Sequence, residues 1–142
     1  MSIDKHNAEG YMDPTAYEAI SLIEKEEHAL RPIVYICSPY AGDVDGDIKA
    51  ARSYSRFAVD KGYIPIAPHL LFPQFLNDAD PNERELGLFF GNALMSKCSE
   101  IWVFGNNITA GMAAEIKRAK WKNYRLRYFT EELEEVQDVC NH

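Results

Sequence analysis

The sequence has no long apolar run, few cysteines and no excess of basic residues. No stretch approaches the roughly 20 apolar residues that cross a bilayer, and the polar residues 1–10 do not resemble a signal peptide. The three cysteines, Cys37, Cys98 and Cys140, are odd in number and lack metal-ligand spacing. We therefore expect free thiols in a reducing cytoplasm, with no membrane partner, no metal site and no cofactor.

The formal net charge of the 142 residues is -7, which disfavours binding to a nucleic-acid polymer. A nucleoside or mononucleotide remains compatible with this charge, because one helix N-terminus can hold one phosphate. No internal repeat or low-complexity segment interrupts the chain. The polar start of the chain predicts a flexible tail at residues 1–12, and the length predicts a single domain at residues 13–142.

Apolar periodicity and capping residues predict alternating helices and strands. Strands are predicted at residues 33–37, 63–67, 100–104 and 124–129, and helices at residues 13–28, 48–61, 80–97 and 109–122, with a final acidic helix from Thr130. This order predicts a three-layer α/β/α fold, flavodoxin- or Rossmann-like, with a parallel sheet of four to five strands and an extra N-terminal helix.

Two details of packing can be predicted from the same patterns. Pro65 interrupts the second strand, which indicates an edge position. Apolar residues at helical spacing predict a buried face on the helix at residues 80–97, made by Leu86, Phe89, Phe90, Ala93 and Leu94.

Ligands of parallel sheets bind beyond the carboxyl ends of the strands, near the switch in strand order. The loops at residues 38–47, 68–80 and 105–111 are therefore the places to look for a site.

The segment at residues 105–115 is the most informative of the three. Thr109 begins a helix in which Gly111 is small, so a ligand can approach the first-turn amides closely. Glu115 shares a helix face with Gly111, which would place a carboxylate beside this anion site, and Met112 belongs to the same helix start. The alternative is a surface glutamate that pairs with Arg118.

The other two loops offer weaker candidates. Ser38, Tyr40 and Gly42 follow the first strand, and their hydroxyls, aromatic ring and glycine turn suit a base or a sugar; a plain surface turn is the alternative. The acidic alternation at residues 42–47 resembles a calcium loop but lacks its closing glutamate, so we interpret it as a helix-capping segment. His69 follows the second strand, where a structural role is the more common one.

Two stretches resemble the nucleoside 2-deoxyribosyltransferase superfamily. They are the strand and loop at residues 34–40, and residues 99–105 leading to the Thr109-x-Gly111-x-x-x-Glu115 pattern. The resemblance covers about residues 32–129. The phrases at residues 67–69 and 102–105 are most similar to an uncharacterised branch of short phage and bacterial proteins.

The resemblance implies N-glycosidic bond cleavage or base exchange on a (deoxy)nucleoside or its 5'-monophosphate. Glu115 would be the nucleophile, and Thr109 and Gly111 would hold the 5' end of the sugar. Tyr40 would orient the glutamate or the sugar. Asn92 stands where the family often has an aspartate that contacts the leaving base. The family also implies a homo-oligomer, a dimer or tetramer.

Two alternatives stay open. Asn92 cannot act as a general acid, which favours a non-catalytic nucleotide-binding module on the same fold. A phosphoribohydrolase of the lysine-decarboxylase-like type also uses a glycine-rich helix start and a glutamate, but its usual Pro-Gly-Gly is replaced here by residues 105–107.

Overall fold

The computed structural model describes Ala16 and residues 18–20, 31–40 and 43–137. The chain divides into two units, Met1–Pro32 and Ile33–His142. In the first unit, Ala16 and residues 18–20 are helical, and the rest of the helix predicted at residues 13–28 lies outside the described residues. The tail at residues 1–12 and the single domain at residues 13–142 stay predictions.

The second unit is an α/β domain whose elements alternate as the sequence predicts. The described elements are β1 (Ile33–Cys37), α1 (Val44–Asp60), β2 (Ile64–Ile66), α2 (Pro68–Leu71) followed by a 3-10 turn (Phe72–Gln74), α3 (Pro81–Met95), β3 (Glu100–Phe104), α4 (Ala110–Trp121), β4 (Arg125–Phe129) and β5 (Glu135–Val136). No helix in this described part of the chain is long and apolar enough to cross a membrane.

The sheet has the strand order β2-β1-β3-β4-β5. The first four strands are parallel and β5 is antiparallel to β4. The strand β2, which contains Pro65, lies at the edge as predicted. The order reverses between β1 and β3, the switch point at which flavodoxin-like sheets bind ligands.

Both faces of the sheet are covered, which explains why β1 and β3 are continuous apolar runs. On one face, Tyr35 and Cys37 of β1 pack with Met95 of α3 and with Met112 and Ile116 of α4. The other face packs against α1 through a second cluster, made by Val34, Ile36, Tyr54, Ala58, Trp102, Phe104 and Phe129. Strand alternation thus sends Tyr35 and Cys37 to the side of α3 and α4.

Three predictions about elements are wrong. The helix α1 begins at Val44 instead of residue 48, because the Asp43 carboxylate accepts the Gly46 N–H and caps it earlier. The acidic helix expected from Thr130 is a turn that leads into β5. Leu133 has φ 69° there, and the Thr130 N–H donates to the Glu134 carbonyl, which closes a hairpin on β4.

The predicted buried face of α3 is the third prediction that is wrong. Phe89 is 63% exposed, Leu86 and Ala93 are also exposed, and Phe90 and Leu94 are only partly buried. The helix instead buries Gly91 and Met95. Helical spacing identifies an apolar face, but it does not tell whether the sheet or another surface covers that face.

Candidate functional site

A cavity of about 440 Å³ opens at the carboxyl ends of β1 and β2 and at the start of α4. Its walls come from the end of β1, from α2, from α3 and from the first two turns of α4. The lining residues that carry polar or charged side chains are Tyr35, Tyr40, His69, Asp78, Arg84, Asn92, Thr109 and Glu115. The site therefore lies where the strand order reverses.

Glu115 reaches this cavity because of how α4 begins. Gly105 has φ 94°, which lets the chain turn sharply after β3. The Thr109 hydroxyl accepts the Met112 N–H at 3.2 Å and caps the helix. The buried face of α4 carries Met112 and Ile116. Glu115 lies three residues after Met112, at the border of this face, and so reaches Tyr35 and Cys37 of β1.

Two neutral donors hold the Glu115 carboxylate. The Tyr35 hydroxyl donates to Oε2, and the Cys37 thiol donates to Oε1 at an S–O distance of 3.7 Å. Gly91 of α3 lies against this pair, since a Cβ at that position would be 3.4 Å from the Tyr35 hydroxyl oxygen. The carboxylate is thus oriented from two sides, and none of the residues that the structure describes forms an ion pair with it.

The surroundings of Glu115 change its protonation. Burial raises its pKa from the ordinary 4.5 to about 7, although the hydrogen bonds from Tyr35 and Cys37 act in the opposite direction. Burial, together with the nearby Glu115, also raises the pKa values of Tyr35 and Cys37, so both groups remain neutral donors. Glu115 is therefore a carboxyl group that titrates near neutral pH.

An aromatic pair forms part of the cavity wall beside α2. The rings of Tyr40 and His69 stack with centroids 4.6 Å apart and planes 8° from parallel. Burial lowers the pKa of His69, partly opposed by the charges of Asp78 and Asp47. A mainly neutral imidazole in a parallel stack provides a flat, weakly polar surface of the kind that heterocyclic bases contact.

A family model described as "Domain of unknown function (DUF7768)" matches residues 32–129, most of the chain. The chain belongs to the DUF7768 family. No curated protein matches it. Among solved structures, the DUF7768 domain resembles a 2-deoxyribosyltransferase from the psychrotolerant bacterium Bacillus psychrosaccharolyticus, a protein described as a biocatalyst for nucleoside synthesis.

The similarity between this chain and the 2-deoxyribosyltransferase is a similarity of fold. The TM-score is 0.60 at 14% sequence identity, and the match covers 75% of this chain and 77% of the other. The resemblance to the deoxyribosyltransferase superfamily that the sequence indicates is thus supported for the fold, whereas the narrower phage and bacterial branch stays a prediction.

The DUF7768 domain brings most of the predicted site residues into one cavity. The lining includes Tyr40, His69, Asn92, Thr109, Gly111, Met112 and Glu115. Glu115 bonds to Tyr35 and Cys37, and no ion pair joins it to Arg118 among the described residues. The functional roles of the seven lining residues remain predictions.

Two predicted residues of the DUF7768 domain are not among the lining residues, and the structure describes only the first of them. Ser38 is buried, does not line the cavity, and its hydroxyl has no hydrogen-bond partner among the described residues. It directly follows Cys37, and strand alternation turns it away from the face that carries Cys37. Gly42 lies outside the described residues.

Sequence reasoning missed four polar residues of the site: Tyr35, Cys37, Asp78 and Arg84. The apolar strand around Tyr35 and Cys37 predicts that both are ordinary core residues. A tyrosine inside such a strand was the available signal, because a buried hydroxyl needs a partner. Asp78 and Arg84 carry no local signal, since charged residues are ordinary in a loop and on an exposed helix face.

Proposed function

We propose that this DUF7768 domain cleaves the N-glycosidic bond of a (deoxy)nucleoside or its 5'-monophosphate, or transfers the sugar to another base, with Glu115 as the nucleophile. The observation that carries the proposal is the Glu115 carboxylate, oriented by Tyr35 and Cys37 at the wall of a cavity of about 440 Å³. A cavity of this size suits a small molecule of nucleotide dimensions.

The chemistry follows from a carboxylate placed below an anomeric carbon. The bond from C1' to the base nitrogen breaks with its electron pair on the base, which takes up a proton from solvent water. One oxygen of Glu115 forms an ester with C1' after an oxocarbenium-like transition state that its charge stabilises. Water or a second base then attacks C1' and displaces Glu115. Two displacements retain the configuration.

The rest of the cavity supports the substrate class. The first turn of α4, at Ala110 and Gly111, presents N–H groups that the helix itself leaves without partners, which suits the 5' oxygen or phosphate of the sugar. The stacked rings of Tyr40 and His69 suit the base. Tyr35 and Cys37 are the groups that orient the nucleophile.

The test uses the purified full chain and a panel of purine and pyrimidine nucleosides and 5'-monophosphates, each as ribo and deoxyribo forms. Free base is measured by chromatography, and intact mass after acid quenching detects a sugar ester. We expect base release from at least one member, and Glu115→Gln to slow it by more than about a thousandfold. The matched control is Glu134→Gln, an exposed glutamate outside the cavity.

Base release that Glu115→Gln leaves unchanged would refute the role of Glu115. Release restricted to ribonucleotides, with deoxy forms inert, would instead favour a phosphoribohydrolase.

Asn92 favours a second candidate function, a non-catalytic nucleotide-binding module. Its amide lines the cavity but cannot protonate a leaving base. Titration calorimetry with the same panel separates the two: binding without any base release supports the module, and turnover by the native chain excludes it.

A further inference from the structure

Cys37 contacts the same carboxylate as Tyr35, yet it lies outside the cavity. It is fully buried, and its sulfur is 3.7 Å from Glu115 Oε1. Tyr35 and Cys37 are two residues apart on β1 and therefore project from the same face of the strand. Each occupies a different oxygen of the carboxylate.

We propose that Cys37 is a positioning residue for Glu115, whose thiol holds Oε1 while Tyr35 holds Oε2, so that the carboxylate keeps one orientation before substrate binds. The effect of Cys37 on catalysis rests on the proposed role of Glu115 as nucleophile. The hydrogen bond between Cys37 and Glu115 does not depend on that role.

The choice of a thiol has a physical reason. A carboxylate held by one donor can rotate about its terminal torsion, and a second donor on the other oxygen removes that freedom. An S–H group is a weaker donor than an O–H group, so it restrains Oε1 while withdrawing little of its electron density. Because Cys37 has no exposed surface, water does not compete for the contact.

Other ionisable groups lie on the elements packed around Glu115, although, of the residues that the structure describes, only Tyr35 and Cys37 act on its pKa. They are Tyr35 on β1, Cys98 after α3, Tyr128 on β4 and Arg118 on α4, with His69, Asp78 and Arg84 on the walls of the same cavity. Hydrogen bonds from Tyr35 and Cys37 each favour the ionised form of Glu115. Removal of the Cys37 thiol is therefore expected to raise the pH at which Glu115 ionises.

An infrared measurement tests the contact without any need for turnover. The S–H stretching band is recorded in a Cys98→Ala, Cys140→Ala background, so that Cys37 supplies the signal. We expect the band to move to lower frequency as the pH rises through about 7, where Glu115 ionises, because a carboxylate accepts more strongly than a carboxylic acid. Adding Glu115→Gln should abolish this pH dependence. If the frequency of the band changes neither with pH nor on substitution of Glu115 by glutamine, the proposal is overturned.

Kinetics test the positioning role. We expect Cys37→Ala to lower kcat by about tenfold, the equivalent of one modest hydrogen bond, with KM within about twofold because the thiol does not touch substrate. The pH midpoint of kcat/KM should move upward, and Cys37→Ser should restore it. Cys98→Ala is the matched control, since its thiol donates to the Leu94 carbonyl instead.

The outcomes separate this proposal from the proposed function. If the native chain releases no base, the proposed function fails and the infrared band still decides whether Cys37 holds Glu115. If Cys37→Ala loses thermal stability but keeps the native pH midpoint, or if Cys37→Ser behaves like Cys37→Ala, Cys37 is a packing residue and the positioning role is refuted.

Discussion

Glu115 occupies a position that favours its neutral form, although the proposed reaction needs its charged form. Burial raises its pKa to about 7, well above the ordinary 4.5. Between these two values the folded protein binds more protons than the unfolded chain does. The free energy of unfolding therefore falls as the pH rises from about 4.5 to about 7, and this contribution is level above that range.

This titration predicts that Glu115→Gln stabilises the protein at alkaline pH. Glutamine keeps the shape of the side chain but never ionises, so the variant escapes the cost of a buried charge. The quantity of interest is the free energy of unfolding of the variant minus that of the native protein. We expect this difference to be larger at pH 8 than at pH 4.5 by up to about 3 kcal/mol. Urea denaturation at the two pH values measures the difference.

Glu134→Gln serves as the control for this experiment, because it changes the same chemical group on an exposed turn. Its stability difference should stay constant between the two pH values. If Glu115→Gln also shows a constant difference, Glu115 is an ordinary solvated carboxylate and burial does not raise its pKa.

At the scale of elements, a polar network ties the last strands together at the edge opposite the cavity. The buried Glu100 at the start of β3 accepts from the Trp102 indole at 2.7 Å and from Arg127 at 3.1 Å. Arg127 also forms two bonds of 2.8 Å with Glu135 of β5 and stacks over the Trp102 ring. One arginine thus connects β3, β4 and β5.

This network predicts a large loss of stability for Glu100→Ala. The change leaves the indole N–H and part of the Arg127 guanidinium without their acceptor in a buried place, which costs on the order of 2–4 kcal/mol. Thermal and urea denaturation of the purified variant measure the loss.

Asp60→Ala provides the comparison, since it removes a carboxylate from a surface pair with Arg56 at 3.1 Å. Both of those side chains are mostly exposed, so we expect a loss of less than about 1 kcal/mol. Equal losses for the two variants would show that burial of Glu100 contributes nothing.

The same network explains why the sequence pattern after Thr130 is misleading. Its acidic residues and capping threonine are typical of a helix start. The segment instead folds back because β4 offers an open edge and Arg127 offers a partner for Glu135. A contact between strands overrides a local helical preference, which is weak for each residue.

At the scale of the whole molecule, large apolar side chains remain exposed on α2, on α3 and in the segment between them. This apolar surface consists of Leu71, Phe75, Leu86, Leu88 and Phe89, and Phe75 and Phe89 are each more than 60% exposed. Large apolar patches of this kind mark interaction sites. Leu88 also lines the cavity, so a covering partner would lie beside the site.

We therefore predict a homo-oligomer, a dimer or tetramer, that uses this surface. Light scattering at several protein concentrations should give a mass that is a multiple of 16.2 kDa. Phe89→Glu should shift the mass to that of the monomer, because a charge cannot be buried in an apolar interface without a partner. Val59→Glu, on α1, should leave the mass unchanged. A native chain that is monomeric throughout would contradict the prediction.

The sequence by itself determined the first four strands and the helices between them, and that Glu115 follows a capped helix start at the end of β3. These features depend on apolar period and on caps, which act over a few residues. The tertiary structure alone decided that Tyr35 and Cys37 meet Glu115, that Ser38 does not, and that α3 exposes Phe89. Tyr35 and Glu115 are 80 residues apart in the chain, and their contact exists because β1 and β3 are neighbours and α4 crosses back over them. Strand order and helix packing are properties of the whole fold, and no local pattern encodes them.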